Sequence, residues 1–204
     1  HIDVIQCHDI EYGNMAQLRN EALPTLRKLK EEGVVRFVGI TGYRLDIIEK
    51  VALEEKIDTV MAYCTYTLQD RRLAPVAERL AAAGVGVLNA SPLGMGLLTT
   101  RGAPSWHPGN ERVFELVAAA ARLCTLAGTD ISELAMRFAL TTGERHGIAT
   151  TVVGTANARN VRENARWADS APDADLLKQV EAILAPVMDA GWDVLPGNGG
   201  KAGG

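Results

Sequence analysis

Residues 2–9, IDVIQCHD, decide the fold. Ile2, Val4 and Ile5 are β-formers, and the run meets a polar cluster, Gln6-Cys7-His8-Asp9, where a buried strand should end. A polar cluster at the carboxyl end of a parallel strand is where barrel enzymes keep their chemistry. Four later apolar runs, 37–42, 59–65, 85–92 and 151–156, end the same way, and each leads into a loop and then a helical pattern. A lone histidine at a strand end is more often structural than catalytic. Here four other strand ends keep it company, so His8 reads as one wall of a site with those ends completing the rim.

Composition sets wide bounds. The 204 residues are 47% apolar and 23% charged, an ordinary globular balance with room for one sizeable core. A net charge of −4 gives no electrostatic reason to expect nucleic acid or an anionic membrane as partner. No apolar run approaches a bilayer span. Cys7, Cys64 and Cys124 are odd in number and widely spaced, which suits reduced thiols in a cytoplasmic protein. The four histidines show no metal-site spacing. The chain opens on His1 at the mouth of a strand, as though truncated, and a Gly-rich tail over 197–204 is expected to be disordered after one unit over 1–196.

Between these ends the pattern is β–loop–α. Asn14 should cap a helix over 14–32, kinked or divided by Pro24 and closed by Gly33. Strands follow at 36–41, 58–64, 85–90 and 149–153, with helices at 45–55 and 71–83 between the earlier ones. Residues 91–110 form a long loop rich in Gly and Pro, the kind that is usually functional in a compact domain. Helices are expected at 111–127, at Ile131–Thr142 behind an Asp130 cap, at 157–168 and at 173–184. Five parallel βα units are too few to close a barrel, which takes eight. The competing open doubly wound sheet should carry a Gly-rich fingerprint after its first strand, and none is there.

The motifs QCHD (6–9), VGITGY (38–43), GVGVLNASPLGMGLLT (84–99) and VVGTANARNVRENA (152–165) together resemble the aldo-keto reductases. IQCHDIEYG and GAPSWHP are similar to that family's L-galactose dehydrogenase-like branch of NAD-linked sugar dehydrogenases. The resemblance implies an α/β fold, a partial (β/α)8 TIM barrel comprising strands 4–8 with their helices. It implies an oxidoreductase that oxidises a sugar hydroxyl by hydride transfer to NAD, with NADP possible. The alternatives are an NADPH-dependent aldehyde reductase of the same fold, or a non-catalytic binding subunit.

By the same resemblance His8 is the histidine of a catalytic tetrad whose aspartate, tyrosine and lysine would lie on the missing strands. Tyr12 and Tyr43 do not occupy the tyrosine's position. Thr41 would hold the nicotinamide carboxamide, although Gly42, Met61 and Ala90 depart from the residues the family uses around that ring. Ser91, Leu93 and Gly96 would straddle the pyrophosphate. Gly154, Thr155, Ala156, Arg159, Asn160, Glu163 and Asn164 would serve the adenosine end, with Glu163 and Asn164 on the adenine amine. NADP-using members place a lysine and an arginine where this chain has Gly154 and Asn160. Trp106, next to His107 on the long loop, is expected either to meet a sugar face or to pin the loop, and Trp192 to line the same opening.

Overall fold

The computed structural model describes residues 1–192. The expected disordered tail, and the last residues of the expected unit over 1–196, lie outside the described residues. Five strands, β1 (Ile2–Cys7), β2 (Val35–Gly42), β3 (Thr59–Tyr63), β4 (Gly86–Ala90) and β5 (Ile148–Val152), form one sheet in chain order. Every neighbouring pair is parallel. Such pairs cannot be joined by tight turns, so helices carry the chain back: α1 (Met15–Gln17), α2 (Leu23–Glu31), α3 (Leu45–Glu54), α4 (Leu73–Ala82), α5 (Glu111–Leu126) and α6 (Ile131–Thr142). After β5 come α7 (Ala158–Trp167) and α8 (Ala174–Leu184).

Local chemistry sets the helix starts. Side chains of Asn14, Asp130, Asn157 and Asp173 accept the backbone N–H of Ala16, Ser132, Arg159 and Leu176 at 2.7–2.9 Å, satisfying donors that a helix leaves open. The helix expected over 14–32, kinked or divided by Pro24, is divided into two α-segments joined by a π-turn at Leu18–Ala22. Pro24 explains the division. Its ring would collide with a carbonyl four residues back, and the wider turn, in which Leu23 N–H reaches Leu18 O, gives it room. The long loop also holds a 3-10 turn, Gly94–Gly96, that the pattern did not announce.

Strand alternation gives the sheet two unlike faces. Val38, Ile40, Val60, Ala62 and Val87 are buried with Ile48, Val51, Leu73, Ala77 and Leu80 of the covering helices. Each Val, Ile or Leu among them is worth roughly 1.5–3 kcal/mol when fully buried. The opposite face carries Ile2, Val4, Phe37 and Val152, which are 50%, 41%, 40% and 44% exposed. On this face Gln6 donates to Thr59 at 3.3 Å across Gly39, where a Cβ would overlap the Thr59 hydroxyl. Among the described residues, no helix is long and apolar enough to cross a membrane.

Candidate active site

The carboxyl ends of the strands define the site. At β1 the His8 side chain is 77% exposed beyond the last strand residue, with its Nδ1 3.3 Å from Asp9 Oδ2. Asp9 is left-handed, at φ 48° and ψ 57°, and its N–H donates to Thr41 Oγ1 at 2.9 Å. Thr41 is therefore buried, with its hydroxyl already engaged at the His8 corner. Gly42 next to it is crowded by Glu11, whose carboxylate a Cβ there would strike. Glu11 is itself buried; one oxygen accepts the N–H of Tyr43, and the other has no hydrogen-bond partner. An Asn at 42 would have to displace it, which accounts for the glycine.

The residues that the resemblance assigns to the pyrophosphate and the adenosine come together. Ser91, Leu93 and Gly96 form one wall of a cleft of about 700 Å³, and Gly154, Thr155, Asn160, Glu163 and Asn164 form the other. These residues come from distant stretches of chain. Thr41 and Ala156 do not line the cleft. Ser91, Gly94, Met95 and Gly96 are all left-handed, which curls the loop tightly. The N–H groups of Gly94, Gly96, Leu97 and Leu98 close turns within it.

Positive charge comes from elsewhere. Arg101 lines the cleft and makes no hydrogen bond or ion pair among the described residues. Arg159, the other guanidinium there, is bound to Glu163 at 2.9 Å. Sequence reasoning passed over Arg101, which follows the SPLGMG stretch by five residues and has no distinctive neighbour.

The Trp106 ring is 66% exposed, and its neighbour His107 does the pinning. Buried His107 hydrogen-bonds Gly94 O through Nε2 at 2.9 Å and accepts Gly109 N–H at Nδ1 at 3.0 Å. Burial pushes its pKa below the ordinary histidine value, against an opposing effect of the Gly94 contact. Trp192 packs edge-on to His107 at 5.1 Å and stacks on Tyr43 at 4.8 Å.

Tyr43 belongs to a network the sequence did not disclose. Its hydroxyl receives Arg72 Nη2 at 2.7 Å and Trp192 N–H at 3.0 Å. Arg72 also grips the buried Asp70 through Nε and Nη2. Gln69 reaches the carbonyls of Val187 and Ala190, so the segment after α8 is strapped over the β2 and β3 ends. Tyr63, at the end of β3, was also missed. Burial raises its pKa strongly, helped by Asp9, Tyr12 and Glu11, and keeps the phenol neutral. Buried Cys64, beside Ser91 and Met95, is pushed up to about 12, mainly by burial, and is no nucleophile.

A parallel sheet with its polar residues and a dinucleotide-sized cleft at the carboxyl strand ends defines a class of cofactor-dependent α/β enzymes. The profile of the Aldo/keto reductase family matches residues 1–185, and the chain belongs to that family. It is 38% identical over 199 residues to L-galactose dehydrogenase of Arabidopsis thaliana, covering 94% of this chain and 61% of that protein. It is 33% identical over 172 residues to D-arabinose 1-dehydrogenase of Saccharomyces cerevisiae, covering 79% and 50%. Aldo-keto reductase AKR11C1 from Bacillus halodurans, in its holo form, has the same fold with a TM-score of 0.70 at 23% identity, over 95% of this chain and 61% of that one. The chain thus spans 50% to 61% of the length of these curated relatives.

Proposed function

We propose that this chain is the strand 4–8 portion of an eight-stranded aldo-keto reductase barrel, oxidising a hydroxyl of an L-galactose-like aldose with NAD. The observation that carries the reading is the cleft: nine residues assigned to one dinucleotide from separate stretches of sequence line its two walls. The apolar inner-face residues Ile2, Val4, Phe37 and Val152 support the barrel, since closure would cover them. Relatives named as dehydrogenases of L-galactose and D-arabinose support a sugar substrate.

Bound NAD would accept the hydride. The chain's own residues bind and orient. Arg101 would neutralise the diphosphate, and Glu163 and Asn164 would meet the adenine amine. Gly96 and Gly154 leave backbone room on the two cleft walls. His8 would hydrogen-bond the substrate hydroxyl and fix it beside the cofactor. Exposed Trp106 offers an apolar ring to the sugar. The tetrad's aspartate, tyrosine and lysine would come from the other three strands. The net charge and the three free cysteines accord with a cytoplasmic protein that binds neither nucleic acid nor membrane.

Titration of tryptophan fluorescence tests the cofactor separately from turnover, because Trp167 lines the cleft. Saturable quenching by NAD is expected, and its absence up to millimolar NAD and NADP would overturn the reading. His8→Ala should leave that titration unchanged while lowering kcat for L-galactose in the assembled enzyme by roughly 10² or more.

A further inference from the structure

A second cavity lies beside the dinucleotide cleft. It is a groove of about 710 Å³ between residues 97–103 and one face of α5, where Phe114, Val117, Ala121 and Thr125 follow at helical spacing. Leu97 and Val117 are buried in its lining, and Leu126, at the end of α5, stands 87% exposed there. None of the lining residues lies on β1 or β5, the two sheet edges, so the groove is not the seam that further strands would close. Its polar chemistry is narrow. Three threonines line it, and each hydroxyl is engaged: Thr99 with Gly96 O at 2.8 Å, Thr100 with Asp130 Oδ2 at 3.3 Å, Thr125 with Ala121 O at 3.0 Å. The other polar side chains are Arg101 and Arg122, and neither makes a hydrogen bond or ion pair among the described residues. No carboxylate lines the groove to balance them. Thr99, Thr100 and Arg101 also line the cleft, so the two cavities share a wall.

We propose that this groove binds a single-chain carboxylate, its head held by Arg101 and Arg122 and its tail along Val117, Ala121 and Leu126, and that occupancy draws Arg101 away from the cleft. The binding stands on the groove alone, while its effect on the cleft rests on the dinucleotide reading. Two unpaired guanidiniums beside an apolar trough, in a chain of net charge −4, select a ligand with an anionic head and an apolar tail. The guanidinium fork matches a carboxylate with two parallel hydrogen bonds. The volume falls in the usual range of small-molecule sites, about 300–1,000 Å³. Because both ligands call on Arg101, each should weaken the other, and by the same factor.

Calorimetric titration of the assembled enzyme with sodium decanoate, below its micellar range, tests the site. Saturable binding is expected. Octanoate should bind roughly tenfold more weakly for want of two buried methylenes. Decanol, which lacks the charge, should bind at least about tenfold more weakly than decanoate. Arg122 is exposed, so its replacement should leave the fold intact. Arg122→Gln should lower decanoate affinity about tenfold with NAD affinity unchanged, and Arg122→Lys should recover part of that loss. Saturating decanoate should raise the Kd for NAD in the parent protein, and the same concentration should do so less in Arg122→Gln. No saturable binding up to millimolar decanoate overturns the proposal. Binding that survives Arg122→Gln undiminished also overturns it, since the ligand would then sit elsewhere. So does a decanoate that binds without altering NAD affinity. If decanoate behaves as expected and NAD does not bind at all, the dinucleotide reading fails and the groove assignment stands.

Discussion

Two parts of the strand-end rim are built on opposite principles. Over β2 and β3, Tyr43, Gln69 and Asp70 are buried, and their polar groups are bound to Arg72, Trp192 and the carbonyls of 187 and 190. Beyond β5, no residue of α7 is buried, and its Asn160, Glu163 and Asn164 face a cleft. Both stretches are rich in polar side chains, so composition does not tell them apart. What differs is whether those side chains satisfy one another. The first region has closed on itself and is structural. The second makes only exposed pairings, Arg159 with Glu163 and Asn160 with Thr155, and stays open to solvent.

Removing one cation from each region should expose the contrast. Arg72→Met would leave Asp70, a 1% exposed residue, without its counter-charge, and free the Tyr43 hydroxyl. Stripping one partner from a buried pair costs about 3–5 kcal/mol. The Arg72 side chain is 35% exposed, so roughly 2–3 kcal/mol is expected from urea unfolding. Arg159→Ala removes only an exposed i,i+4 pair and should cost no more than about 0.5 kcal/mol. Equal losses would erase the distinction between the two regions.

His107 sits between these extremes and adds a pH signature. His107→Ala would leave the Gly109 N–H without its partner and the Gly94 carbonyl with the Leu97 N–H alone, at a cost of about 1–3 kcal/mol. In the native protein burial depresses its pKa, so the folded state prefers the neutral ring. As pH falls through about 6.5, the unfolded chain takes up that proton first. The stabilising contribution is therefore complete above that value and is lost as pH falls toward the folded-state pKa. The melting temperature should drop between pH 7 and pH 5, and drop less in His107→Gln. Parallel curves for the two proteins would show that His107 does not titrate in this window.

The same contrast explains how much could be read from the sequence. Strand positions, the βα repeat and two helix caps were legible because each depends on residues close in the chain: Asn14 and Asp130 cap within three residues of themselves. The cleft residues were legible through motif resemblance. The strap was not. Gln69 meets partners 118 and 121 residues away, and Trp192 meets Tyr43 across 149. Local patterns carry no trace of such pairs. The contact of Thr41 was hidden for the same reason: its partner Asp9 is 32 residues distant. His107 and Trp106 are adjacent, and burial alone decides which of them pins the loop.

The smallest effect concerns which dinucleotide the cleft prefers, and it turns on one ion pair. With Gly154 and Asn160 where the resemblance would put cations, Arg159, next to Asn160 in sequence and in the cleft lining, is the candidate charge for a 2′-phosphate. Its guanidinium is bound to Glu163 at 2.9 Å. Releasing it would cost little, since an exposed i,i+4 pair is worth only about 0.3–0.5 kcal/mol. A charge-assisted hydrogen bond to phosphate would return about 1.5–3 kcal/mol. That sum taken alone favours NADP. It omits Glu163, which the move would leave as an unpaired carboxylate beside a phosphate dianion, and like charges at such range oppose most of the gain. NAD, with a neutral hydroxyl, leaves the pair intact and should bind more tightly. Glu163→Gln separates the two contributions. It removes the repelling charge and frees Arg159 together, so the ratio of Kd values should shift toward NADP by about tenfold, or 1.4 kcal/mol. Any loss of adenine contact at position 163 weakens both dinucleotides alike, as does any change in the diphosphate contact of Arg101, and both cancel in the ratio. A parent protein that prefers NADP tenfold would refute the assignment, and a ratio unmoved by Glu163→Gln would show that this ion pair does not set it.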